Sequence, residues 1–362
     1  KLACAGACAL MAGQLLLPSV ALAADWVNVG GTQYNRGTAA GDEAGTWSWD
    51  GGDDMKLNGY DGAGISAQGN LNIGVTGTNT VTADSLRSAI EVKDGNLAIT
   101  GEGTLNATAE PQKSRSAVKV ECGSLAISGD VTLNATAGTD TIAVSGDGKA
   151  GGDVDIRGAN VNVTATNKVP HTIGIHTRAG NITINEGADV HVEAEANGGL
   201  NAVAVYAENI SSEHGGCIAV DNAKLDAAAR NANMLSVALY SFGGKDTYLS
   251  ITNGADVTLV ASDSVEVLDG VWMRAQDGVS RVLVENSSLT VRCGDGTGHS
   301  RKHGYGIYSQ SGSQSAIPRI DIINSNVEVS GNAAAIYAVN QGDAAPCLSI
   351  DGGSVVTTPA GG

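Results

Sequence analysis

The sequence is poor in the residues on which most globular cores rely. It holds a single phenylalanine, and aromatic side chains make up only 4% of its 362 residues. An interior filled by packed rings is thereby excluded, and Val, Ile, Leu and Ala must fill it. Lys and Arg total 21 against 38 Asp and Glu, which leaves a formal net charge of −17. This balance excludes nucleic acid as a partner, because affinity there comes largely from neutralising phosphates. Anionic glycans are disfavoured for the same reason unless a cation intervenes. Cysteine is scarce too: besides Cys4 and Cys8 near the start, the chain has Cys122, Cys217, Cys293 and Cys347. Positions three repeats apart in a stack lie roughly 14 Å from one another, beyond the about 7 Å that a disulfide tolerates. No disulfide is expected among these four. Apolar residues spaced three and four apart are missing, so few long helices fit.

What is abundant is glycine, at 50 residues, set between short alternating runs. Asn96 to Gly123 reads NLAITGEGTLNATAEPQKSRSAVKVECG. Its three alternating runs place Leu97, Ile99, Leu105, Ala107, Val118 and Val120 in one shared interior. The next block, SLAISGDVTLNATAGTDTIAVSGDG, repeats the design. Repetition about every 26 to 38 residues is the signature of a solenoid, in which each coil closes its core only against its neighbours.

The coils are counted by their opening strands, from NLNI at Asn70 through NLAI, SLAI, DVDI, NITI, CIAV, YLSI, RVLV and RIDI to CLSI. Second strands recur as TLNATA, NVNVTA, DVHVEA and their equivalents. Corners between the two carry Asn222, Asn253-Gly254, Asn286 and Asn324, residue types that accept the left-handed backbone of a sharp bend. The expected fold is all-β: a right-handed parallel β-helix with three strands per coil and about ten to eleven coils. Insertions fall in corners near Ser211 to Gly216 and Gly294 to Gly304, where binding loops most often sit.

Residues 1–23 read as a secretory signal: a basic start, an apolar middle and the ending Ala21, Leu22, Ala23. A membrane anchor is the weaker reading because Pro18 interrupts the run, and Cys4 has no apolar segment before it to support a lipoprotein. Residues 24–69 hold three of the four tryptophans and are expected to form the N-terminal cap and first coil, since an open β edge must be covered. Residues 70–362 form the β-helix, which stops partway through a coil; a linker or further coils are expected beyond. In the cap, Asp50, Asp53, Asp54 and Asp61 could hold calcium. Their spacing does not match a D-x-D-x-D loop, so turn-forming aspartates are the favoured reading and no cofactor is expected, with calcium left possible.

The third strands align as AIEV, AVKV, TIAV, GIHT, AVYA, ALYS, GVWM, GIYS and AIYA. Their second residues are inward, and the outward third residues read Glu91, Lys119, Ala143, His176, Tyr206, Tyr240, Trp272, Tyr308 and Tyr337. His176, Tyr206, Tyr240, Trp272, Tyr308 and Tyr337 therefore stand in one column at roughly 4.8 Å spacing and are the candidate ligand-binding residues. One reading makes the column a stacking ladder. The other makes it a flat strip on which pyranose rings lie.

With leader, cap and coils in place, the chain resembles secreted surface proteins of Gram-positive gut bacteria that carry a right-handed parallel β-helix carbohydrate-binding domain. The likeness rests on Trp47 to Val81, WSWDGGDDMKLNGYDGAGISAQGNLNIGVTGTNTV, and on NLAITGEGTLNATA at Asn96 to Ala109. It implies binding to plant-type or host polysaccharide at the cell surface, sometimes with calcium, and no catalysis. It carries over no individual ligand residue.

Parallel β-helices also house lyases and hydrolases. A hydrolase needs two carboxyl groups about 5–9.5 Å apart, one of them protonated. The outward acids Asp155, Glu193, Asp226, Glu266, Asp277 and Glu328 are scattered over coils and strands with no Arg or Lys column beside them. Arg301, Lys302 and His303 read as a solvated corner near Asp295. His171, His176 and His191 complete no triad. The expectation is a non-catalytic, secreted or cell-surface glycan-binding or adhesin-like protein. It partners with a polysaccharide and does not insert into a membrane once mature; its oligomeric state is not set by the sequence, and a monomer is assumed. A structural stalk without ligand is the alternative, and a lyase or hydrolase the more distant one.

Overall fold

The computed structural model describes residues 23–83, 88–110, 115–145, 152–168, 170–209, 216–294, 304–312, 316–340 and 345–359. The leader expected over residues 1–23 lies outside them apart from its last residue, and so do Arg301, Lys302 and His303. Among the described residues every regular element is a β-strand, and no helix is long and apolar enough to cross a membrane.

The chain is a parallel β-solenoid. Ten third strands, from Ile65–Gln68 to Ala334–Asn340, stack in parallel in one sheet, so about nine turns separate the first from the last. The first and second strands of each turn form the other sheet, of 22 strands. Register follows the sequence repeat: Leu71, Leu97, Leu125, Val154, Ile182, Ile218, Leu249, Val282 and Ile320 pair one above another. All nine are buried to 1% exposure or less. Each such side chain contributes about 1.5–3 kcal/mol of burial, and the stack makes that contribution repeat turn after turn.

The corners bend as their residue types require. Asn222, Asn253, Asn286 and Asn324 have φ of 46°, 57°, 51° and 48°, and Gly254 has 85°. A short polar side chain tolerates this left-handed backbone better than a branched one. On the outer face of the second strands, Asn134 donates to Asn106 at 2.8 Å and Asn162 donates to Asn134 at 2.9 Å, a side-chain ladder parallel to the backbone one.

The N-terminal segment differs in kind. Trp26–Val29 pairs antiparallel with both Thr32–Asn35 and Ile65–Gln68, and Trp47–Trp49 pairs antiparallel with Ala40–Gly41 and Asp54–Asn58. Hairpins thus cover the first turn, which removes an open parallel edge. Trp47, Trp49 and Tyr60 are buried there, and Trp49 Nε1 donates to the Gly52 carbonyl at 3.0 Å. Asp50 serves a turn: its Oδ1 accepts from the Gly52 and Asp54 N–H groups at 2.7 and 3.2 Å. Asp54 accepts from Asn72 at 3.0 Å. No disulfide links Cys122, Cys217, Cys293 and Cys347 among the described residues.

Candidate functional site

The third-strand face carries the chemistry. Inward residues Ile90, Val118, Ile142, Ile175, Val205, Leu239, Val271, Ile307 and Ile336 pair in register. The next residue in each strand is brought into a single outward column, Glu91, Lys119, Ala143, His176, Tyr206, Tyr240, Trp272, Tyr308 and Tyr337. All six candidate residues therefore stand together.

Their rings are stacked on one another. Centroids of His176 and Tyr206 lie 4.7 Å apart at 8°, Tyr206 and Tyr240 4.7 Å at 6°, and Tyr240 and Trp272 4.8 Å at 22°. Trp272 and Tyr308 follow at 5.9 Å and 24°, and Tyr308 and Tyr337 at 5.7 Å and 31°. The ring planes thus lie across the solenoid axis, each face turned to the neighbouring turn. A pyranose stacks on a ring face, and along the ladder the ring faces are turned to one another. Edges and hydroxyls are what it presents outward. Tyr337 is the most open, at 41% exposure, and Tyr305 stacks on it at 4.7 Å and 16°.

Burial keeps the phenols protonated. It pushes Tyr206 far up, with the nearby Tyr240 and Glu208 adding to the effect. Tyr308 is pushed up to about 12 by burial, with Tyr305 and Asp269 reinforcing it. Tyr240 also rises through burial, although Arg274 opposes.

Two residues beyond the ladder, on the same strands, runs a second column that the sequence reading passed over. Glu208, Phe242, Arg274 and Gln310 pair in register, and the Arg274 guanidinium lies 5.1 Å from the Phe242 ring centroid, within cation–π reach.

Below His176 the face changes character. Ala143 interrupts the large side chains, and a cleft of about 990 Å³ opens there. Its walls are charged. On one side Lys119 Nζ pairs with Glu91 at 3.4 Å and with Glu121. Burial would lower the Lys119 ammonium, but Glu121 and Glu91 outweigh it and hold its pKa above the ordinary lysine value.

On the other side His176, only 4% exposed, bridges two carboxylates on the turns either side of its own. Its Nδ1 lies 3.3 Å from Asp140 and its Nε2 3.5 Å from Glu208, and Arg178 pairs with Asp140 at 3.2 Å. Burial would depress the His176 imidazolium, yet Asp140 and Glu208 raise its pKa overall. Burial would likewise raise Asp140, but His176 and Arg178 hold it below the usual carboxylate range.

Asp140 lies two residues before the inward Ile142, so strict alternation would put it on the inward side. In the structure Thr141 and Ile142 are both buried in succession, which breaks the alternation and turns Asp140 outward. The other outward acids stay scattered: Asp155 lies beneath Arg157, Glu193 faces His191 at 3.6 Å, and Asp226 pairs with Lys224 at 2.9 Å. Among the described residues no group of three or more His, Cys, Asp or Glu is placed to hold a metal ion.

No protein-family model matches the chain, and neither does any curated protein or solved structure. The structure by itself establishes a parallel β-solenoid with an aromatic cluster on one face.

Proposed function

We propose that the protein is a secreted or cell-surface, non-catalytic, monomeric right-handed β-helix that binds polysaccharide on its aromatic-bearing third-strand face. The observation that carries this reading is the alignment of the cleft and the ladder along one axis. A linear polymer lying along that axis meets a charged recess whose wall continues as a rigid row of stacked rings on successive turns. Polar groups placed at fixed positions beside a hydrophobic wall suit a polyhydroxylated ligand.

The ionic state of the cleft supports binding over glycoside cleavage. A hydrolase needs one carboxyl held protonated, whereas Asp140 is held ionised by its partners. Asp153 is a carboxyl that burial pushes up, but it accepts from the Asn181 N–H and side-chain amide at a corner. Two measurements test the reading. The purified chain is expected to bind polysaccharides on a glycan array, and to release no reducing or unsaturated ends from them on incubation. Appearance of new ends would replace binding by catalysis.

A stalk without ligand is favoured by the mutual covering of the ring faces, which ties turn to turn. An array without any signal would select it.

A further inference from the structure

Resting on the polysaccharide-binding reading, we infer that the sugar is seated in the cleft over Ala143, between Lys119 and His176. There it is a neutral sugar unit, held by hydrogen bonds from charged side chains that are already paired with one another, and it is not stacked on the ladder.

Three observations carry this. First, the ladder has no free ring faces along its length, since His176, Tyr206, Tyr240 and Trp272 cover one another at 4.7 to 4.8 Å. The seat must be found elsewhere on the face. Second, the only small side chain in the column between Glu91 and Tyr337 is Ala143. With Lys119 one turn away on one side and His176 one turn away on the other, the opening between those two side chains is roughly two strand spacings, or about 9.6 Å. The cleft volume of about 990 Å³ lies at the upper end of the roughly 300–1,000 Å³ usual for small-molecule sites, room enough for more than one sugar ring.

Third, the walls are polar and most of their charges are paired with one another. Lys119 is held by Glu91 and Glu121, and Arg178 and His176 are held by Asp140. An anionic ligand would have to displace those carboxylates and would meet their repulsion. A hydroxyl group both donates and accepts, so it satisfies a carboxylate and a neighbouring cation without breaking the pair. The pairs leave lone pairs on the Glu91 and Asp140 carboxylates and N–H groups on Lys119 and Arg178 to meet sugar hydroxyls.

The test is titration of the full chain and its variants with neutral polysaccharides (a β-glucan, a xylan, a galactomannan) and acidic ones (polygalacturonate, chondroitin sulfate). Ala143→Trp fills the seat with an indole that extends the ladder by one rung. Wild type is expected to bind one or more neutral polymers, and to do so equally at about 50 mM and about 500 mM NaCl, since no net ion pairing with the ligand is made. Ala143→Trp is expected to weaken this at least tenfold with an unchanged melting curve. Lys119→Met, which keeps the wall's length and removes its donors, is expected to weaken it at least fivefold and serves if the indole disturbs folding.

Tyr240→Ala, in the structural ladder, is expected to leave affinity within about twofold. Neutral-polymer binding that survives Ala143→Trp and Lys119→Met, or that Tyr240→Ala abolishes, overturns the seat alone. A preference for acidic polymers that fades at high salt overturns the ligand class. Absence of any polysaccharide binding by wild type overturns the broader reading along with the inference.

Discussion

The third-strand face is one strip built by one repeat, yet its two halves are held together by different physics. From His176 to Tyr337 successive turns are joined by ring-on-ring contact; between Glu91 and Lys119, and again from Asp140 to Glu208, ion pairs cross from turn to turn. Stacking is short-ranged, insensitive to salt and leaves little for a ligand to use. Paired charges are directional and hydrated at their margins, and they keep unused donors and acceptors. The same fold position therefore yields a rigid half and a receptive half, and His176 belongs to both.

The largest effect expected from breaking this contrast is in the ladder. Trp272→Ala removes contacts to Tyr240 and Tyr308 on both sides and is expected to destabilise by about 3 kcal/mol, at the low end for large aromatic truncations because the ring is half-buried. Denaturant unfolding at low and high salt should show the same loss. In the charged half, Asp140→Asn strips His176 and Arg178 of a shared carboxylate and is expected to destabilise by about 2 kcal/mol, since a partly buried cation is left with weaker compensation. Here the loss should differ between low and high salt.

A smaller effect comes from pH. The folded-state pKa of His176 is raised, so its contribution is complete below the ordinary histidine value of 6.5 and is lost as pH rises through the higher folded value. Asp140 is lowered, so its contribution is complete above its ordinary value of 3.8 and is lost as pH falls through the lower folded value. The melting temperature is expected to fall by a few degrees between about pH 6 and about pH 9, and His176→Gln should flatten that slope. A slope unchanged in His176→Gln would remove the bridge from the account. The smallest effect is expected for Lys119→Met, within about 1 kcal/mol in a thermal melt, because the ammonium is a third exposed and such pairs contribute little to folding.

Much of the scaffold was legible beforehand because β alternation and repeat length are one-dimensional signals. The pairing of Leu71 with Leu97 and Leu125, the left-handed asparagines of the corners and the column from Glu91 to Tyr337 all follow from spacing. Ring orientation does not, since it depends on side-chain torsions rather than on which face a residue occupies. For that reason strand spacing alone admits both a stack and a pyranose strip. The charged bridge was hidden for a different reason: Asp140 sits where two buried residues in succession interrupt the alternation, and Arg178 and Glu208 lie two positions past the column that drew notice. Antiparallel hairpins in the cap carry no repeat to betray them.

The His176 bridge has a mechanical consequence. A solenoid is quasi-one-dimensional, and each coil ordinarily feels only the one above and the one below. Asp140, His176 and Glu208 come from three successive coils, so this rivet couples next-nearest neighbours at the seam between the two kinds of adhesion. Fraying that starts at either end of the rod has to shear the rivet before it can run into the other half.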